Sequence, residues 1–452
     1  MKKTPSWHRP AAKPRLTGSA EADDKGVQRG LPLPLFEALV ETVVRVQASP
    51  RPADRVLYEF FRDHEALGAR DRAFVTENFY ALLRQWESIT QLAPVTAPRR
   101  LVLAYLNRGL GRSARDLQSL CRGDEERDWL TALSAQRLPA TLEVRAHLPD
   151  WVVQALLEEM TEEEILALGY ALQKPAPLDL RVNSLKASRE QVLEALAQAG
   201  IEAAPTPLSP WGVRVPGRPA LQRLPLFVEG WVEIQDEGSQ LLGPLLGPRR
   251  RDMVVDFCAG AGGKSLHLGA LMQNQGRLYA FDISAKRLDN LKPRLKRAGL
   301  SNLMPVVIAR ETDDRVRRLH GKIDRVLVDA PCSGLGTLRR NPDLKLRQNA
   351  AGLASLLDKQ RSILDAAASL VKPGGRLVYA TCSLLPAENQ RQAESFALRH
   401  PDFRLLSAQT LLAENGVVLE LDTPYLQLSP AKHGTDGFFA AAWERLPLSS
   451  EA

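Results

Sequence analysis

The sequence has no apolar run near the roughly 18 residues that a membrane-spanning helix needs, and its first residues lack the apolar core of a signal peptide. A soluble, cytoplasmic protein is expected. Cysteine is scarce: Cys121, Cys258, Cys332 and Cys382 lie far apart in 452 residues, and no two form a Cys-x-x-Cys pair. That spacing excludes a disulfide framework and the usual structural zinc site, so reduced thiols and no metal are expected. There is no internal repeat, and no low-complexity tract beyond the N-terminus. Acid is missing from residues 1–18, which carry Lys2, Lys3, Arg9, Lys13 and Arg15 with no Asp or Glu. Such a basic, proline-containing arm reads as disordered and phosphate-seeking, or as a solvated tail. The formal charge of +7 permits a polyanionic partner without requiring one.

What is present is ordinary globular chain, 44% apolar and 25% charged, with length for two or three domains. Past the arm (1–30), residues 31–173 read as a helical bundle. Apolar residues recur at helical spacing in Leu35-Phe36-x-x-Leu39-Val40-x-x-Val43-Val44 and Phe74-Val75-x-x-x-Phe79-x-x-Leu82-Leu83. Its basic residues, among them Arg70, Arg72, Arg84, Arg99 and Arg100, are offset by Asp124-Glu125-Glu126 and the acidic stretch from Glu158 to Glu164. Residues 174–235 read as a small α+β module: β-like runs at 178–182, 212–215 and 230–234 surround a helix from Arg189 to Ala199 that stops at Gly200.

From 236 to 447 the pattern alternates. A helix opens at Asp236-Glu237-Gly238, strands are expected at 253–257, 277–282, 305–309, 324–329 and 376–381, and helices at 264–273, 284–298 and 355–371. Ser284 suits an N-cap and Gly299 a helix stop. Alternation of this kind gives an α/β fold with a doubly wound parallel sheet.

The first of those strands runs into a glycine turn, Val254-Val255-Asp256-Phe257-Cys258-Ala259-Gly260-Ala261-Gly262-Gly263-Lys264-Ser265. A dinucleotide fingerprint counted from Gly260 needs glycine where Ser265 stands, and a P-loop ending at Gly263-Lys264-Ser265 needs glycine where Cys258 stands. Both readings are weakened. A loop for S-adenosylmethionine needs only close backbone approach, plus an acid at the tip of the second strand for the ribose hydroxyls. Asp282, twenty residues after Gly262, is in that position. The competing reading is that Asp282 merely caps the helix after it.

Two cysteines sit just past apolar, β-branched runs: Cys332 in Val328-Asp329-Ala330-Pro331-Cys332-Ser333-Gly334, and Cys382 in Tyr379-Ala380-Thr381-Cys382-Ser383. Both belong at carboxyl ends of strands, the edge where ligands bind in such sheets. Thiols at that edge suit nucleophilic chemistry, because a few per cent of a cysteine is already thiolate at neutral pH. Lowering its pKa from about 8.5 to about 7 would raise that share roughly tenfold.

These segments, with Arg339-Arg340-Asn341-Pro342-Asp343, Glu388-Asn389 and Thr435-Asp436-Gly437-Phe438-Phe439, resemble the motif set of the Sun-type RNA cytosine-5 methyltransferases. The likeness spans Leu178 to Trp443. The helical part, with Gly68-Ala69-Arg70-Asp71-Arg72-Ala73-Phe74, is similar to the NusB-like RNA-binding domain of the bacterial 16S ribosomal RNA members, the RsmB type.

The resemblance implies a Rossmann-like domain dependent on S-adenosylmethionine, an RRM-like module before it, and methylation of cytosine in 16S ribosomal RNA; a monomer is expected. Transfer RNA is the alternative substrate. It implies Cys382 as the nucleophile, Cys332 as the group that assists product release, Asp329 against ring nitrogen 3 and the exocyclic amine, and Lys264 steadying that site. Cofactor contacts implied are Cys258, Ala259, Gly260, Gly262, Gly263, Lys264, Asp282, Arg287, Arg310, Glu311, Asp329 and Pro331. One departure stands out: family members carry an acid after the third strand, and the aligned residue here is Arg310, with Glu311 or Asp313 to replace it. Cys121 and Cys258 read as structural thiols. Two rival classes remain: a DNA cytosine-5 methyltransferase, which would attack through the Pro331-Cys332 thiol and has no need of Cys382, and a nonenzymatic RNA-binding factor, against which the intact thiols argue.

Overall fold

A computed structural model describes residues 30–447, so the basic arm expected at 1–30 falls, but for Gly30, outside the described residues. Helices run from Leu33 to Gln173. They do not share one core. Phe36, Phe60, Phe79, Leu82 and Tyr105 centre a cluster that ends at Leu133, whereas Val152, Leu156, Ile165 and Leu168 pack with Leu335, Leu338, Leu344 and Leu385 from far along the chain. The later helices are therefore seated on the loop that follows Cys332.

The small module is a four-stranded antiparallel sheet. Its strands are β1 (Leu178–Val182), β2 (Ala204–Pro205), β3 (Gly212–Val215) and β4 (Val232–Ile234), in the order β2-β3-β1-β4. Its helix, Arg189–Gln198, begins with a capping box between Ser188 and Gln191.

The large sheet has eight strands. Five are parallel: β5 (Met253–Asp256), β6 (Arg277–Asp282), β7 (Leu303–Val307), β8 (Ile323–Asp329) and β9 (Val371–Thr381). Three more, β10 (Phe403–Leu406), β11 (Leu426–Leu428) and β12 (Phe438–Arg445), are antiparallel additions that the sequence pattern did not announce. The order β10-β12-β9-β8-β5-β6-β7 reverses direction of winding between β5 and β8, which makes that point the crevice of a doubly wound fold.

β7 begins two residues before the expected 305, because Pro305 is tolerated on an edge strand that needs no N–H there. The helix Ala285–Ala298 is capped by the Ser284 hydroxyl and ended by Gly299 at φ +75°, as its sequence requires. Among the described residues, no helix is long and apolar enough to cross a membrane.

The far edge of this sheet is closed by an aromatic group. Phe396, fully buried on the helix Gln390–Arg399, meets His400, Trp443 and Phe403 at centroid distances of 4.4, 4.6 and 5.4 Å. Phe396→Ala should lower unfolding free energy by about 3–5 kcal/mol in urea titrations. A loss under about 1 kcal/mol would mean that the edge repacks and carries little of the stability.

Candidate active site

The groups singled out at four of the strand ends are brought to one face. β5, β6, β8 and β9 finish at Asp256, Asp282, Asp329 and Thr381, and a cleft of about 590 Å³ lies over them. It is lined by Cys258, Ala259, Gly260, Asp282, Arg287, Glu311, Asp329, Pro331, Cys332 and Cys382.

The glycine loop is tied down from behind. Asp282 accepts from the Gly260 N–H at 2.8 Å and the Ser284 N–H at 2.7 Å, so it closes the loop and the turn to the next helix while still facing the cleft. Arg294 and Arg181, both donating at 2.6 Å, take the Ala261 and Gly263 carbonyls. Gly262 has φ +80°, and a Cβ there would lie 2.2 Å from Leu291 Cδ1; its role is to let the loop lie against that helix. Gly262 and Gly263 do not line the cleft.

After the third strand, Arg310 is exposed and lies off the cleft, and Asp313 closes its own turn by accepting from the Ala309 and Arg315 N–H groups at 2.9 Å each. Glu311 is the residue that lines the cleft, held by the Ser362 hydroxyl at 2.6 Å, and that bond keeps its carboxyl below the ordinary range. Lys359 and Ile363, on the helix Ala350–Leu370, also line the cleft. Nothing local in the sequence marks them, because only the helix's position over the strand ends brings them there.

At the other end of the cleft the two thiols meet, with Cys332 Sγ and Cys382 Sγ 3.5 Å apart. The contact with Cys382, then burial, pushes the Cys332 thiol well above its ordinary pKa. Lys264 donates to Asp329 at 2.7 Å beside them. Burial works against the ammonium, but the charges of Asp329 and then Cys382 outweigh it and hold the Lys264 pKa above its usual value. Cys258 also lines the cleft, and burial, then Asp329, Asp256 and Asp282, push its thiol well above the ordinary pKa. Cys121 packs with the helical cluster, far from the cleft.

The residue that follows each of the two cleft cysteines Cys332 and Cys382 belongs to a second, fully buried group. Glu388 accepts from the Ser333 N–H at 2.8 Å, the Ser333 hydroxyl at 2.5 Å, the Gln360 amide at 2.9 Å and the Ser383 hydroxyl. In the sequence this glutamate stands out only through the Glu388-Asn389 motif. Among the described residues, no cluster of three or more His, Cys, Asp or Glu side chains gathers as a metal site would need.

The doubly wound sheet, with an acid-closed glycine loop at its switch point, defines a Rossmann-like methyltransferase domain. Residues 244–444 match the family described as 16S rRNA methyltransferase RsmB/F, and residues 148–221 match the ferredoxin-like domain of RsmF/B-like methyltransferases. These two matched segments place the methyltransferase and ferredoxin-like parts of the chain with the RsmB/F methyltransferases.

It is 39% identical over 295 residues to a probable ribosomal RNA small subunit methyltransferase B of Synechocystis sp., and 34% identical over 293 residues to ribosomal RNA small subunit methyltransferase B of Photorhabdus laumondii. Each alignment takes in 65% of this chain, and 66% and 65% of those relatives' lengths. The crystal structure of PH0851 superposes with a TM-score of 0.75 at 25% identity, over 92% of this chain and 99% of that one. NSun6 from Pyrococcus horikoshii, solved with SFG, shares the fold at a TM-score of 0.59 and 21% identity, over 67% of this chain and 99% of that one.

Asp256 gives the site a measurable signature. It is fully buried, accepts from Ser265 Oγ at 2.6 Å, and burial raises its pKa from 3.8 to about 7. Because the folded value lies above the unfolded one, the stabilisation present at low pH is lost as pH rises to about 7. Asp256→Asn removes that loss. The variant's stability relative to the parent should climb by about 1.4 kcal/mol per pH unit between pH 5 and 7 and level off above. A pH-independent difference in thermal or urea unfolding would contradict the raised pKa.

Proposed function

We propose that this protein transfers the methyl group of S-adenosylmethionine to carbon 5 of a cytosine in 16S ribosomal RNA, through a bond between Cys382 and carbon 6 of the base. The observation that carries the reading is the 3.5 Å approach of two thiols, one from each of two neighbouring strands, beside the Lys264–Asp329 pair. A DNA-type enzyme needs only the Pro331-Cys332 thiol, and a binding factor needs neither.

The cleft fits the cofactor. Gly260 leaves open space where a side chain would stand, Asp282 and Glu311 offer acceptors to hydroxyl or amino groups, and Phe257, Ile308 and Ile363 supply apolar walls for a base. Ala259, Gly260, Asp282, Arg287, Glu311 and Pro331 are the residues assigned to hold it. Bound there, S-adenosylmethionine supplies an electrophilic methyl group.

Carbon 5 of cytosine is a poor nucleophile until a thiolate adds to carbon 6, which Cys382 does. Asp329 accepts from the exocyclic amine, and from ring nitrogen 3 once that nitrogen takes up a proton as Cys382 adds, while the Lys264 ammonium fixes Asp329 and balances charge that develops on the ring. Cys332 remains protonated during attack, since the charge of Cys382 opposes a second thiolate next to it. Once Cys382 is bonded to carbon that opposition ends, and Cys332 gives its proton to solvent. It then takes the carbon 5 proton. The C–H electron pair restores the carbon 5–carbon 6 double bond, and the carbon–sulfur pair returns to Cys382 as thiolate, with one proton released overall.

We assign residues 236–447 to this chemistry, the RRM-like module at 174–235 and the NusB-like helical region at 31–173 to holding RNA, and the protein to the cytoplasm as a monomer. Tritium transfer from S-adenosylmethionine to 16S RNA tests the activity, and bisulfite sequencing of a deletion strain tests the substrate. Asp282→Ala should weaken S-adenosylhomocysteine binding about tenfold or more by calorimetry.

The thiols should separate by step. Cys382→Ala should be inactive and form no adduct, whereas Cys332→Ala should trap protein on RNA as a denaturation-resistant band that the double substitution abolishes. The reverse pattern would make Cys332 the nucleophile.

A further inference from the structure

The register of β8 and β9 brings the two cysteine turns side by side, but the 3.5 Å between the sulfurs is not fixed by the ladder alone. The β8–β9 ladder ends with Asp329 opposite Ala380 and the Ala330 N–H on the Ala380 carbonyl at 2.8 Å. Each cysteine lies beyond that last bond, on its own turn. Two links join the turns: the Gly336 N–H donates to the Cys382 carbonyl at 2.9 Å, and the residues after each cysteine meet side chain to side chain. Ser333 Oγ and Ser383 Oγ approach to 3.0 Å, and the Glu388 carboxylate takes a hydrogen bond from both hydroxyls. Its other oxygen takes the Ser333 N–H at 2.8 Å and the Gln360 amide at 2.9 Å, and the Gln360 amide also reaches the Pro331 carbonyl at 3.0 Å.

Glu388 is itself immobilised. Its side chain is fully buried, its own carbonyl accepts from the Tyr379 hydroxyl at 2.7 Å, and Asn389 next to it ties to Thr381 Oγ1 at 2.5 Å and the Ser383 carbonyl at 3.1 Å. Among the described residues no cation touches this carboxylate, and its partners there are neutral donors. Such an arrangement is costly for stability alone, because a buried charge without an ion partner gives up its hydration for hydrogen bonds only. It is directional, however: the carboxylate has room for donors from the Cys332 turn, the Cys382 turn and the helix that carries Gln360, and for nothing else.

We propose that Glu388 is a positioning residue for the release step: it clamps the Cys332 and Cys382 turns through Ser333 and Ser383, and so holds the Cys332 sulfur where it can take the carbon 5 proton. This rests on the two-thiol mechanism above. Attack by Cys382 requires one thiol and the base, and tolerates a displaced partner. Release requires both sulfurs to act on adjacent ring carbons, so it is the step most sensitive to their separation. Glu388 is also among the charges that raise the Cys332 pKa, behind Cys382 and burial, which favours a strong base once Cys332 is ionised.

Glu388→Gln keeps the shape but removes the charge and one acceptor oxygen, which weakens the hold on the Ser333 and Ser383 hydroxyls, and Ser333→Ala removes one arm of the clamp with the carboxylate intact. For both, the expected result is kcat lowered by about a hundredfold, KM for RNA and S-adenosylhomocysteine binding unchanged, and a denaturation-resistant RNA adduct accumulating although Cys332 is present. A bimane reagent with two alkylating arms, which fluoresces only when both thiols have reacted, reads the spacing in the free protein. Its bridging rate should fall in both variants, with Cys332→Ala as the zero.

Turnover at the parent rate, or a low kcat with neither adduct nor a change in bridging, would overturn the proposal. Should Glu388→Gln fail to fold, Ser333→Ala carries the same test. Should the parent protein methylate no RNA, the two-thiol mechanism fails, while unchanged bridging in the variants would refute the clamp independently.

Discussion

β8 and β9 release their chains at the same height, with Asp329 paired to Ala380, and the chemistry of the site depends on that register. In a parallel pair the two carboxyl ends point the same way, so a cysteine three residues past Asp329 and another two past Ala380 emerge side by side although fifty residues separate them in the chain. A shift of one residue would turn one thiol into the core on the opposite face of the sheet. The anchoring is correspondingly heavy: β8 lies between β5 and β9, and β9 between β8 and β12, so neither is an edge free to slip.

Around that edge the charges are arranged in order of burial. Asp256, deepest, is paired only with a hydroxyl and keeps its proton to about pH 7. Asp329, at the rim of the cleft, has Lys264 at 2.7 Å. One carboxyl can therefore stay neutral while its neighbour meets a cation, since ionising both under one ammonium would leave a buried negative charge unpaired. The same logic separates the thiols: two thiolates 3.5 Å apart repel, so one proton stays with the pair.

The helical region bears on the site through the segment that leaves Cys332. Arg84 donates to the Arg339 carbonyl at 3.0 Å, Ala53 donates its N–H to Asp343 at 3.2 Å, and Lys345 reaches the Arg84 carbonyl at 2.7 Å and the His147 carbonyl. Burial brings the Lys345 pKa down to about 7, so the contact holds a costly group inside. On the opposite side Arg340 bridges Asp436 at 2.6 Å and Asp236 at 3.0 Å. The loop between the thiol turn and the next helix is thus gripped by the helical region, by the turn before β12 and by the start of the methyltransferase domain.

Local chemistry wrote much of this into the sequence. Alternating β-branched runs and capped helices specify the parallel strands to within a few residues, and the pairing of Ser284 with Gly299 delimits a helix outright. The glycine turn, Asp282 and both cysteines could be read as site residues because strand ends in a doubly wound sheet must share one edge. The antiparallel strands β10–β12 could not, since β10 and β11 are short and form only against β12, and β12 is placed only by its pairing with β9. Nor could the cleft contact of Glu311 in place of Arg310, which depends on which way a turn faces, or that of Lys359 and Ile363, which depends on where a helix crosses the sheet. The sequence by itself determined the fold class and the reactive groups, because those follow from propensity and covalent chemistry. Only the tertiary structure decided the 3.5 Å between two sulfurs and the carboxylate that joins their turns, because distances between segments fifty residues apart are set by packing and buried hydrogen bonds.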